Sequence, residues 1–210
     1  HPVDRRQRQM CIRDSNEAFN VQNRLQLLNR VGALIENPSL YEHLNAIENL
    51  TIASNYRRNI SKERINEVLE IVKLSYAKKK KVKAYSLGMK QRLGLAIALL
   101  SNPELIILDE PTNGLDPKGI IEMRALIKKL NEQYGTTIFI SSHLLSEIEK
   151  TCTHVGIIRE GKMLFQDTVK TLKASKSKSM IVDFEVDKFI DALEVLDRLG
   201  TVSYTHLRAH

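Results

Sequence analysis

Two cysteines in 210 residues, Cys11 and Cys152, are too few for a disulfide framework, and neither has the paired spacing of a zinc site. A reducing, cytosolic setting fits such a chain. Long apolar runs are missing too. The longest nearly unbroken one, residues 93–100 with Gly94 inside it, falls far short of the roughly 18 to 20 residues that cross a bilayer. Any membrane role therefore goes through a partner. No apolar h-region marks a secretory leader, and nothing repeats at a solenoid period. With 42% apolar residues, the chain can build one globular core and is too short for two full domains.

The formal charge of +7 invites a nucleic-acid reading, because clustered Lys and Arg neutralise phosphate backbones. Much of that excess is terminal: Arg5, Arg6, Arg8, Arg13 and Arg208 against Asp4 and Asp14 supply +3 of it. The densest remaining run, residues 78–81, reads as a solvated lysine linker, and nucleic acid is not expected as a partner. Residues 10–15 and 202–210 resemble translated sequencing-adapter read-through. Residues 1–15 and 202–210 are therefore expected to be non-native tails, with a tag or a disordered basic arm as alternatives for the first.

Between those ends, strand and helix patterns alternate, which is the mark of an α/β fold with a mostly parallel sheet flanked by helices. Residues 31–35 suit a short strand. From about residue 45 to 74 the pattern is helical, with Ile65, Val68, Leu69 and Val72 on one face and Ser61 placed as an N-cap. Residues 105–108 form an apolar run expected to be a central parallel strand buried on both faces. Asp116 followed by Pro117 opens a helix whose stripe is Ile120, Met123, Ile127 and Leu130, ending near Gly135. Residues 136–141 are β-branched and apolar, hence another strand.

Chemistry-bearing residues sit at the edges of these elements. Asp109 and Glu110 end the central strand, where ligands bind in open α/β sheets and where a carboxylate can hold Mg²⁺ beside phosphates. Ser86 and Gly88 begin a helix, whose exposed N–H groups attract anions. His143 follows the next strand. Taken singly, each has a plainer reading: solvated carboxylates, a capped helix, a structural histidine, a Gly-Leu-Asp-Pro turn.

Together they gain weight. Tyr85-Ser86-Leu87-Gly88-Met89-Lys90-Gln91, then Leu105-Ile106-Ile107-Leu108-Asp109-Glu110, then Asn113-Gly114-Leu115-Asp116, then Ile140-Ser141-Ser142-His143 resemble, in order, the signature, Walker B, D-loop and switch histidine of ATP-binding cassette (ABC) ATPases. Departures from the commonest signature wording fall at Tyr85, Leu87 and Met89. The resemblance implies a P-loop NTPase fold of the ABC class with an inserted helical subdomain at about residues 45–100. It also implies ATP and Mg²⁺ as cofactors, with Asp109 organising the metal, Glu110 and His143 as catalytic residues, and Ser86, Gly88 and Asp116 contacting nucleotide. Glu36 stands where the family usually carries a glutamine, and is a further nucleotide and metal candidate. Residues 33–41 together with residues 85–91 resemble the bacitracin-resistance and lantibiotic self-protection branch of exporter ATPases.

That branch implies a dimer of cassettes, or a paired cassette, on the cytoplasmic side of a membrane, peripheral to a transmembrane permease. Residues 16–175 would be the partial ATPase domain and 176–201 the start of an accessory region. No Gly-rich loop of the form GxxxxGK[ST] precedes the signature. The sole GxxxxGK pattern, Gly156-Ile157-Ile158-Arg159-Glu160-Gly161-Lys162, is followed by Met163 and reads as a hairpin turning at Glu160-Gly161. The chain alone is thus expected to hold ATP poorly and to be inactive. Soluble ABC-type ATPases outside transport, and a degraded non-catalytic module, remain as alternatives.

Overall fold

The computed structural model describes residues 24–36, 38–57 and 60–176. The accessory region expected at residues 176–201 lies outside them apart from its first residue, as do the adapter-like ends. The chain divides into two compact units, residues 1–152 and 153–210.

In the first unit, three short strands form a parallel sheet in the order β1 (Val31–Ile35), β2 (Leu105–Asp109), β3 (Thr137–Ser141). The register sets Ile35, Asp109 and Ser141 on one rung, so Glu36, Glu110 and Ser142 all leave the sheet at its carboxyl edge. Before β1 comes α1 (Arg24–Asn29). The connection from β1 to β2 is helical: α2 (Ala46–Asn55), α3 (Lys62–Ile71), two short 3-10 turns and α4 (Leu87–Leu99). The helical pattern read as one stretch from residue 45 to 74 is two helices. Asn45 begins the first with a reciprocal capping box to Glu48, and Ser61 begins the second by accepting from the Arg64 amide.

Helix α4 is buried nearly all round, including Leu93, Leu95, Ala96 and Ala98, and forms the spine of the core with Leu50, Leu69, Leu74, Ile106 and Leu108. Each fully buried Leu or Ile contributes about 1.5–3 kcal/mol relative to exposure, so this spine fixes the relation of sheet to helices. Helix α5 (Pro117–Tyr134) joins β2 to β3; Asp116 caps it and Gly135, at φ 65°, ends it in the left-handed conformation. Its buried stripe is Met123, Leu126, Ile127 and Leu130, so Leu126 takes the place expected for Ile120, which is half-buried. Helix α6 (Leu145–Thr151) follows β3, and Arg124 of α5 ties to its Glu147 at 3.2 Å.

The central strand corrects one expectation. Ile106 and Leu108 are fully buried, but Leu105 and Ile107 on the opposite face are only half-buried. Alternation along a strand sends neighbouring side chains to opposite faces, and α4 lies against the Gly32–Leu34 side. The other face is open, with Ile35 and Phe139 at 68% and 64% exposure.

In the second unit, β4 (His154–Arg159) and β5 (Lys162–Thr168) pair antiparallel and lead into α7 (Val169–Lys176). Glu160 and Gly161 both have positive φ, 52° and 74°, as a two-residue type I′ turn requires. The GxxxxGK pattern is therefore a β-hairpin. Its lysine opens strand β5 rather than a helix, so no helix amino end stands at the lysine to present N–H groups to phosphate.

Candidate functional site

The carboxyl edge of the parallel sheet gathers the acidic and imidazole groups. Ser141 ends β3 on the rung of Asp109, and its hydroxyl donates to Asp109 Oδ1. The same serine receives the Glu110 amide twice, at its hydroxyl (3.1 Å) and at its carbonyl (3.3 Å). Two residues on, His143 Nδ1 stands 3.0 Å from Glu110 Oε2. A carboxylate can only accept there, so the imidazole donates from Nδ1 and keeps Nε2 for a second partner. The histidine side chain is 63% exposed and that of Glu110 only 23%. Asp109, Glu110, Ser141 and His143 thus form one hydrogen-bonded group.

Both glutamates that follow strands at this edge have positive φ, 39° at Glu36 and 46° at Glu110. For a non-glycine residue that conformation costs on the order of 1–2 kcal/mol and persists only where surroundings enforce it. At Glu110 the enforcement is Ser141 and the Asn113 amide, which bonds the Glu110 carbonyl at 3.0 Å. Among the described residues, no three His, Cys, Asp or Glu side chains cluster as metal ligands.

A second group lies at the amino end of α4. Ser86 is exposed and caps the helix by accepting from the Met89 amide at 3.3 Å, which leaves its hydroxyl hydrogen free to donate outward. Gly88 and Leu87 pack against the turn that follows Glu110. A Cβ on Gly88 would lie 3.7 Å from Leu115 Cδ2, and one on Gly114 3.1 Å from Leu87 Cδ2. Asp116 sits at the end of that turn with Oδ1 on the Gly119 amide at 3.1 Å, the geometry of a helix cap. Glu36 stands one residue past the Ile35–Asp109 rung, and the contact that holds it is to α4: Gln91 Nε2 donates to its carbonyl at 3.0 Å.

Sequence reading therefore located Asp109, Glu110 and His143 together, and Ser86 and Gly88 together. It assigned no role to Ser141, Gln91 or Tyr85. Tyr85, a departure from the usual signature wording, has its ring in the core and its hydroxyl on the Ala77 carbonyl at 2.8 Å; burial pushes its phenol pKa up. It anchors the segment ahead of Ser86 to the earlier of the two 3-10 turns, Ser75–Ala77. Ser141 could have been found by pairing strand ends, whereas the Gln91 contact bridges residues 55 apart and left no local signal.

A parallel α/β sheet with carboxylates at its carboxyl edge and a helix amino end beside it is the arrangement at which open α/β folds bind ligands. The ABC transporter family model matches residues 7–113, half the chain, and the protein belongs to that family. Among curated relatives, the bacitracin transport ATP-binding protein BcrA of Bacillus licheniformis is 54% identical over 74% of this chain and 51% of its own length. The lantibiotic transport ATP-binding protein SrtF of Streptococcus pyogenes is 46% identical over 66% of the chain and 60% of its length. The chain spans about half the length of the curated relatives it matches. Among solved structures, cbiO1 from Clostridium perfringens, part of the ABC transporter complex cbiONQ, superposes with a TM-score of 0.68 at 24% identity, covering 86% of this chain and 70% of that one. That likeness establishes the fold.

Proposed function

We propose that the chain is part of the ATP-binding and ATP-hydrolysing subunit of an exporter, acting from the cytoplasmic side of a membrane on a separate transmembrane permease. The observation that carries this reading is the hydrogen-bonded group Asp109–Ser141 and Glu110–His143 at the carboxyl edge of the sheet. Its oxygen donors suit Mg²⁺, a hard ion that keeps several waters and takes one or two carboxylates plus phosphate oxygens. Bound there, the metal would neutralise charge on the triphosphate. Asp109 would be the carboxylate that holds it, with its Oδ1 already accepting from the Ser141 hydroxyl. Glu36 is a second acidic candidate at the neighbouring strand end.

In turnover Glu110 would orient the water that attacks the γ-phosphorus and take up its proton as the bond to the β–γ bridging oxygen breaks and ADP leaves, while His143 holds the Glu110 carboxylate through Nδ1 and keeps Nε2 for a phosphate oxygen. The Ser86 hydroxyl and the amides at the start of α4 bind phosphate of a nucleotide carried mainly by a second cassette, so the working form is a dimer or a pair of cassettes. Asp116 serves by capping α5 and so setting the Gly114–Leu115 turn against Gly88. The cargo class, antimicrobial peptides, is suggested by the bacitracin and lantibiotic relatives.

No phosphate loop occurs within these 210 residues, so the chain alone should bind Mg-ATP weakly. The test joins a strand–GxxxxGK[ST]–helix segment from an ABC ATPase ahead of α1 and measures ATP turnover. The chimera is expected to hydrolyse ATP, and Glu110→Gln to lower turnover by about a hundred- to ten-thousand-fold while binding survives. A folded, ATP-binding chimera with no turnover, or one indifferent to Glu110→Gln, would overturn the assignment.

A further inference from the structure

Among the described residues, no hydroxyl holds the strained Glu36 turn as Ser141 holds that of Glu110. What holds it comes from α4. Gln91 is 2% exposed, its Nε2 donates to the Glu36 carbonyl, and its Oε1 is buried without a hydrogen-bond partner. Burying an amide at the cost of an unsatisfied oxygen is unfavourable by about 1–3 kcal/mol, so core stability alone does not explain a glutamine here; an apolar side chain of equal volume would serve the core better. One helical turn on, Gly94 lets the same turn approach: a Cβ there would fall 2.6 Å from Pro38 Cβ and 2.7 Å from Leu34 Cδ1. A further turn along the same face, Ala98 meets Gly32 so closely that a Cβ on the glycine would lie 2.5 Å from the Ala98 carbonyl oxygen. Lys90 adds an ion pair to Glu42, just beyond the turn.

We propose that Gln91 is a positioning residue that clamps the left-handed Glu36 turn to α4, with Gly94 providing the clearance, so that the Glu36 carboxyl and the phosphate-facing amino end of α4 are carried on one rigid body. The role in ATP chemistry rests on the function proposed above; the clamp itself does not. A ligand that pulls on Ser86 or Gly88 would move Glu36 with it.

The test is NMR on the 210-residue chain without nucleotide. In the wild type, the side-chain amide protons of Gln91 should exchange with solvent at least about tenfold more slowly than those of exposed Gln133. Gln91→Met keeps the volume and removes the donor. It should shift the Glu36 carbonyl ¹³C signal and speed exchange at the Ile35 and Glu36 amides about five- to tenfold, while the amides of Leu93 to Leu99 keep their protection. Gly94→Ala should move the Glu36 signal although Gln91 is intact. A packing role alone would leave Glu36 unchanged in Gln91→Met, and that result overturns the proposal. Should the variant fail to fold, wild-type Gln91 protons exchanging like those of Gln133 would overturn it equally. An inactive chimera with an intact clamp would sink the ATPase reading and spare this one.

Discussion

The two edges of the parallel sheet are built on different principles. At the amino edge, Arg30 before β1 and Glu104 before β2 form an exposed two-pronged ion pair at 2.8 and 2.6 Å, and the Glu104 and Leu105 amides donate to the Arg30 carbonyl at 2.9 and 3.2 Å. The Thr137 amide closes the row on the Glu104 carbonyl at 2.8 Å. Those groups are paired with one another, and the positive φ nearest them, 50° at Asn102, falls on a residue type that adopts the left-handed region readily. At the carboxyl edge, two glutamates are held at positive φ, one by Ser141 and one by Gln91, with acidic side chains half-buried or facing solvent. Strain held in place by hydrogen bonds, on the side of a sheet where ligands bind, belongs to a site; the amino edge belongs to stability.

Breaking the contrast most sharply takes one substitution at each edge. In the phosphate-loop chimera, Glu110→Gln should cut turnover by about two to four orders of magnitude, whereas Arg30→Ala should leave turnover within about twofold, since an exposed ion pair contributes little. Comparable losses from both would erase the distinction. Next in size is Gly32→Ala, which drives a methyl against the Ala98 backbone, where no flexible side chain can yield. It should lower unfolding stability by about 1–3 kcal/mol in urea, and an unchanged midpoint would mean that α4 does not set the sheet. Ser141→Ala removes the hydroxyl shared by Asp109 and the Glu110 amide. A loss of about 1 kcal/mol is expected, with NMR shifts confined to residues near Asp109 and Glu110.

The smallest effect lies at the amino edge and depends on pH. The Arg30 hydrogen bonds hold the Glu104 carboxyl below its ordinary pKa. A carboxyl depressed in the folded state adds stability that is present above its unfolded pKa and fades as pH falls through the folded one. The small advantage of wild type over Glu104→Gln should therefore exist at neutral pH and vanish in acid. Salt should shrink it as well. An advantage that grew on acidification would contradict the geometry.

Much of this was legible in the chain. Strand positions followed from apolar runs, and the caps at Ser61, Ser86 and Asp116 from residue type and spacing, because those signals are local. Two kinds of information were not. Burial of β2 on one face only depends on what lies over the sheet, which a run of Leu and Ile cannot reveal. The roles of Ser141 and Gln91 depend on register between elements 32 and 55 residues apart from their partners. Asp116 is an intermediate case, since the same carboxylate that marks a family motif is satisfied as a helix cap.

The account turns on the carboxyl edge meeting metal-bound triphosphate, and weak affinity does not prevent a direct look. Titrating the ¹⁵N-labelled 210-residue chain with Mn²⁺–ATP and recording paramagnetic broadening tests it. The account predicts that signals of Asp109, Glu110, Ser141 and His143 broaden first. Broadening confined to the lysines at residues 78–81 or to the Gly156–Lys162 hairpin, with residues 109–110 and 141–143 untouched, would contradict it.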